Sequence, residues 1–210
     1  MRILFAALLA LLTATPLTAQ HVSGRFDYYV LALSWAPSWC ETTTDHRDSL
    51  SCDKGRGAGF TVHGLWPQYE RGWPDNCPTT QHGPSRAQTR AMVDLMGSSG
   101  LAWYQWRKHG TCSGLSAQGY FDATREAAGR IAIPPIFSQL DRDVSLPARV
   151  VEDAFIEANP ALTRNAVTVT CQDRRLQEVR ICLTRDLQPR DCAPDARRDC
   201  SRNMVMPPPR

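Results

Sequence analysis

The chain has 210 residues, 42% of them hydrophobic, and a formal net charge of +3. That length allows one domain with a sizeable core and excludes a miniature scaffold that depends wholly on staples. The charge is too small to be the basic footprint of a dedicated nucleic-acid-binding module, so it permits an acidic polymer as substrate without pointing to one.

The chain opens with Met1 and Arg2, then an unbroken apolar run from Ile3 to Leu12, then Leu17-Thr18-Ala19 before Gln20. This order reads as a secretory signal peptide over residues 1–19. The run is too short for the ~20 residues of a membrane helix, and a buried N-terminal helix is the competing reading. No later segment is apolar enough to span a bilayer. The expectation is an exported mature chain, secreted or periplasmic, with no membrane contact once the signal is removed, working as a monomer.

Residues 26–35 (FDYYVLALSW) read as a buried strand, and residues 36–56 as a loop with Cys40 and Cys52. Residues 59–65 (GFTVHGL) alternate as a short strand, which puts His63 on one face with Thr61. Residues 69–85 are punctuated by Gly72, Pro74, Pro78, Gly83 and Pro84 and read as a surface loop. A helix capped by Ser85 follows, with Ala91, Val93, Leu95 and Met96 as its apolar residues. On the next helical stretch, 101–112, Gln105, Lys108 and His109 stand at i, i+3 and i+4. An amide, a cation and an imidazole therefore share one face.

Further helices are expected at 118–131 and at 147–159, the second with Val150, Val151, Ala154, Phe155 and Ala158 on its apolar face. Residues 166–171 and 178–183 read as a hairpin, and residues 204–210 as a loose tail. Helices and hairpins without regular alternation make the class α+β.

The eight cysteines, Cys40, Cys52, Cys77, Cys112, Cys171, Cys182, Cys192 and Cys200, read as four disulfides in an exported chain, although spacing alone does not choose their pairing. Zinc is the alternative, but around His109 and Cys112 no Cys-x-x-Cys or second histidine completes a tetrahedral set. Of 24 basic residues only Lys54 and Lys108 are lysines, so a lysine beside His109 reads as a chemical requirement for a compact charge.

Two segments carry the chemistry: FTVHGLWPQ at 60–68 and WRKHGTC at 106–112. Each holds one histidine, a residue that suits both halves of acid–base catalysis because its pKa lies near about 6.5. A lone histidine near tryptophan is often structural; the pairing with Lys108 and Trp66 favours chemistry. Cleavage of RNA through its own 2′-OH needs a base, an acid and a cation at the phosphate, and an aromatic ring such as Trp66 can stack on a base.

These two blocks resemble the signature segments of the ribonuclease T2 family. The resemblance extends through the cysteine placement and the EVRIC segment at 178–182. It implies an α+β fold, an antiparallel sheet with packed helices, stapled by Cys77–Cys112, Cys171–Cys200 and Cys182–Cys192, while proximity in sequence pairs Cys40 with Cys52. It implies a metal-independent endoribonuclease of low sequence specificity. Single-stranded RNA is the substrate, DNA is not cut, and no metal or cofactor takes part. His109 would be the general base at the 2′-OH, His63 the general acid at the leaving oxygen, and Lys108 the cation at the phosphate. Trp66 and, beside it, Gln68 would hold substrate. The products would be a 2′,3′-cyclic phosphate and then a 3′-phosphate.

Two positions depart from the family pattern, which has His-Glu where this chain has Tyr104-Gln105. Tyr104 can still donate a hydrogen bond to substrate. Gln105 keeps hydrogen bonding but loses a charge, so His109 is expected to titrate lower than in relatives. The departures keep alive a rival, an RNA-binding or signalling protein on the same fold that has lost catalysis. A second rival is a hydrolase with Cys112 as nucleophile, which a disulfide at that position would exclude.

Overall fold

The computed structural model describes residues 21–43 and 49–210, so the signal peptide expected at 1–19 lies outside the described residues. Strand β1 (Tyr28–Trp35) is the axis of a six-stranded sheet with β2 (Phe60–Gln68), β3 (Val144–Leu146), β4 (Val167–Gln172), β5 (Arg175–Leu183) and β6 (Met204–Met206). The order is β2-β1-β5-β6-β3, with β4 on the other edge of β5. Pro67 sits on β2, at the edge of the sheet, where a missing backbone N–H leaves no ladder bond broken.

Alternation along β1 divides the sheet into two faces. Tyr29, Leu31, Leu33 and Trp35 join Val62, Leu65, Val179 and Ile181 in the main core, against Tyr120 and Phe121 of the helix Ala117–Gly129 and Val151 and Phe155 of the helix Ala148–Ala158. Burying such side chains contributes about 1.5–3 kcal/mol each, which fixes the register, since a one-residue slip would turn them outward. The opposite face carries Ala32, Glu178, Arg180 and Trp66, and the chemistry lies there.

The helices are α1 (Ala36–Thr42), α2 (Arg86–Arg90), α3 (Val93–Met96), α4 (Ser99–Lys108), α5 (Ala117–Gly129) and α6 (Ala148–Ala158). Ser85, Ser98 and Ser116 cap α2, α4 and α5, each accepting a backbone N–H in the first turn. The hairpin between β4 and β5 turns on Asp173 and Arg174, both at positive φ, as a two-residue turn requires. All four disulfides have the expected pairing, Cys40–Cys52 from proximity and the other three from the resemblance.

Several expectations need correction. The loop at 36–56 opens with α1, begun by a proline in its first turn, and contains a 3₁₀ turn at Leu50–Cys52. The helix expected from Ser85 is two short ones, α2 and α3. The helix expected at 101–112 starts at Ser99 and gives way after Lys108 to a 3₁₀ turn, Gly110–Cys112. Val150 points to solvent rather than into the core. The sheet is mixed, because β6 runs parallel to β5 at Arg175 and Val205. The tail at 204–210 is not loose. Met204 and Met206 are fully buried in β6, Trp35 Nε1 donates to the Pro207 carbonyl, and the Ala58 and Arg210 backbones exchange two hydrogen bonds.

Candidate active site

His63 owes its position to an irregularity in β2. Ala32 of β1 faces Gly64 and Leu33 faces Val62, so His63 is an extra residue with no partner opposite. Strict alternation would send residues 63 and 66 to opposite faces of a strand. The bulge brings them together, and the imidazole lies edge-on to the Trp66 ring with centroids 5.2 Å apart.

A carboxylate holds the far side of that imidazole. Glu178 reaches from β5 across β1, over the small Ala32 and Ser34, and its Oε1 lies 2.5 Å from His63 Nδ1. Its other oxygen accepts from Arg180 Nε at 2.8 Å and pairs with the same guanidinium's Nη2 at 2.7 Å. Burial alone would raise the Glu178 carboxyl, but the hydrogen bonds and charges of His63 and Arg180 outweigh it and hold it at about 2. An ionised carboxylate only accepts, so Nδ1 of His63 is the donor and Nε2 is left for proton exchange. Sequence reasoning did not single out Glu178 or Arg180. Their i, i+2 spacing on a strand was a signal that they share a face.

The second histidine stands where α4 ends. The His109 backbone N–H closes the last helical turn on the Gln105 carbonyl, and the chain then tightens into the 3₁₀ turn tied by Cys77–Cys112. The ring is buried, and its Nδ1 has no hydrogen-bond partner. Burial above all, then the positive Lys108 and the other imidazole, push this histidine down to about 3. It is therefore neutral over the ordinary pH range.

Trp66 stands between the two histidines. Its ring stacks on His109 at 5.2 Å and 26°, the Arg180 guanidinium lies 5.1 Å from its centroid, and its Nε1 donates to Gln105 Oε1 at 2.8 Å. Gln105 is almost wholly buried, so the amide that replaces the family's glutamate is a fixed support for the indole. The close approach needs glycine: a Cβ at Gly64 would overlap both Gln105 Oε1 and Trp66 Nε1. Gly110, which follows the other histidine, is constrained in the same way by Trp106 and Tyr120.

His63, Trp66, Gln68, Tyr104, Gln105, Lys108 and His109 all line one cleft of about 340 Å³, so every candidate site residue outside the disulfides comes to it. Trp73, Arg180, Asp195 and Arg198 also line it, and sequence reasoning missed all four. Asp195 anchors the loop that carries Trp73 by accepting the Gly72 N–H. Gln68 is buried, with its Nε2 donating to the Pro67 carbonyl, whereas Tyr104 is half exposed, with Lys108 Nζ 5.9 Å from its ring centroid. Cys112 is bonded to Cys77, which removes it both as a nucleophile and as a thiolate metal ligand.

Comparison with known proteins gives the chain its family and fold. A ribonuclease from Aeromonas hydrophila is 39% identical over 137 residues, covering 62% of this chain and 61% of the relative. The chain spans 61%, 49% and 56% of the length of three of its curated relatives, and 85% of Ribonuclease I from Escherichia coli, to which it is 27% identical. An RNase-related protein from Calystegia sepium has the same fold, with a TM-score of 0.68 at 22% identity over 87% of this chain and 98% of that one. RNase NT, solved in complex with 5′-AMP, matches with a TM-score of 0.64 at 22% identity over 88% of this chain and 99% of that one. The Ribonuclease T2 family model matches residues 26–192, most of the chain, and with it the protein belongs to the ribonuclease T2 family.

Proposed function

We propose that this chain is an endoribonuclease of low sequence specificity that cleaves single-stranded RNA without a metal. The observation that carries the reading is the pair of imidazoles on either side of Trp66, one held by a carboxylate and the other buried and neutral beside Lys108. Neutral His109 takes the proton of the ribose 2′-OH. The 2′-oxygen attacks phosphorus, and the P–O5′ bond breaks as His63 Nε2 gives its proton to the leaving oxygen. The products are a 2′,3′-cyclic phosphate and a free 5′-hydroxyl. Water then opens the cycle with the two histidines in exchanged roles, leaving a 3′-phosphate.

Lys108 steadies the charge that gathers on the phosphoryl oxygens, and the buried Gln105 acts beside it by fixing Trp66. The Trp66 ring is engaged by His63, His109 and Arg180, so it holds the catalytic pair as much as any base. Trp73 and Tyr104, each half exposed on the cleft, are the rings more open to a base, with Gln68 alongside. RNase NT binds a nucleotide, 5′-AMP, and we carry that ligand class to this cleft. Four disulfides suit an oxidising compartment, so we place the working protein, a monomer, in a periplasm or outside the cell.

Digestion of matched RNA and DNA strands, with and without EDTA, tests the reading. RNA should be cut at the same rate under chelation, with early products ending in 2′,3′-cyclic phosphate, and DNA should be left intact. Cleavage of DNA, a metal requirement, or 5′-phosphate ends from the first turnover would refute the mechanism. Binding of RNA without any cleavage would favour the non-catalytic rival.

A further inference from the structure

Three aromatic side chains among the described residues are more than a third exposed: Trp73, Trp103 and Tyr104, at 47%, 46% and 47%. Two of them line the catalytic cleft. The third, Trp103, is not in its wall but is next to Tyr104 on α4. Aromatic exposure is thus confined to the cleft and its border. The inward face of the same helix is Ala102, Gln105 and Trp106, all buried, so Trp103 adds nothing to the core.

Each exposed ring on α4 has a cation one turn further on. Lys108 Nζ lies 5.9 Å from the Tyr104 centroid, and the Arg107 guanidinium lies 5.6 Å from that of Trp103. Residues at i and i+4 share a stripe of the helix, so two ring-and-cation stripes run side by side. Among the described residues neither Arg107 nor Lys108 is in an ion pair. The inner stripe faces the scissile phosphate in the reading above. The outer one repeats its chemistry just outside the cleft.

We propose that Trp103 and Arg107 form a flanking nucleotide subsite, continuous with the cleft through Tyr104 and Lys108, that stacks a base of the same RNA strand and pairs with its phosphate. A guanidinium covers at most one face of an indole and leaves the other for a base, and stacking suits any base. Arg107 supplies the positive charge the strand needs where it leaves the cleft. The proposal rests on the ribonuclease reading for the identity of the strand. It does not require Trp103 or Arg107 to touch the reacting atoms.

The test compares two uncleavable 2′-O-methyl probes, a dinucleoside phosphate and an oligoribonucleotide of about eight nucleotides, by fluorescence anisotropy. Trp103→Ala should weaken the long probe roughly tenfold and leave the short one unchanged, and Trp103→Phe should restore most of the loss. Arg107→Gln, which keeps a good helix former, should weaken the long probe and lower its slope of log K against log salt by about 0.7. Steady-state cleavage by the same variants should show a raised KM on the long substrate alone. Unchanged affinity of the long probe in both variants, or equal weakening of both probes, overturns the subsite. Failure of the unmodified protein to cut RNA would strike the ribonuclease reading, while the binding comparison would still decide the subsite.

Discussion

The two histidine segments carry the same His-Gly pair and are built in opposite ways. His63 is on a bulged edge strand, about one-third exposed, with an ionised carboxylate on its Nδ1. His109 is at a helix end, buried, with a lysine as its sequence neighbour and no partner on its Nδ1. A hydrogen-bonded carboxylate fixes a ring's tautomer and supports a proton passing through it. Burial beside a cation keeps a ring neutral. In the proposed mechanism the environments, rather than the residue type, distinguish donor from acceptor.

The largest effects should come from removing either half of this contrast. His63→Ala and His109→Ala should each lower kcat/KM on RNA by ~10²-fold or more, and the double variant should fall well short of the product of the two losses. Glu178→Gln then asks whether the carboxylate is what distinguishes His63. It should lower kcat about 10- to 100-fold with little change in KM, because Glu178 touches the imidazole and not the cleft. Near-normal turnover in Glu178→Gln, alongside an inactive His63→Ala, would reduce the glutamate to a structural group.

Next in size is a change that leaves every titrating group in place. Gly64→Ala puts a methyl group where the Gln105 amide meets the Trp66 indole. Strain of this kind costs typically 1–3 kcal/mol, so the melting temperature should drop, and turnover should drop with it as Trp66 shifts between the histidines. A variant as stable and active as the parent would show that the Trp66–Gln105 bond does not set the separation of the two rings.

The helical half of the site was more legible in the sequence than the strand half, for a physical reason. Helical neighbours are set by spacing, so Gln105, Lys108 and His109 had to share a face, and all three line the cleft. On β2 the spacing misleads, because residues 63 and 66 should diverge. The sign of the bulge was a glycine inside a strand, Gly64. Glu178 could be put on a face with Arg180. That β5 lies across β1 from β2 is a matter of long-range pairing, which no local pattern carries. The same limit explains β6. Three residues before a run of prolines have little strand signal of their own, and their partners on β3 and β5 are distant in sequence. Asp195 and Arg198 reach the cleft wall from the cysteine-tethered segment by the same kind of long-range approach.

Gln105→Glu would make the two histidines more alike, and it should have the smallest effect. The imidazole held at about 3 is the proposed base, active when unprotonated, so the acid limb of kcat/KM should lie well below the usual imidazole value of about 6.5. A carboxylate one helical turn before His109 favours the imidazolium. That raises the folded value and moves the acid limb toward higher pH, by about one unit for a partly screened neighbour. Burial is the larger cause of the low value and is untouched by the substitution, so the limb should stop short of 6.5. The basic limb should move less, because position 105 lies on the helix that leads into His109. A shift in the basic limb alone would exchange the roles of the two histidines. An unchanged profile would mean that position 105 acts only through the indole it holds.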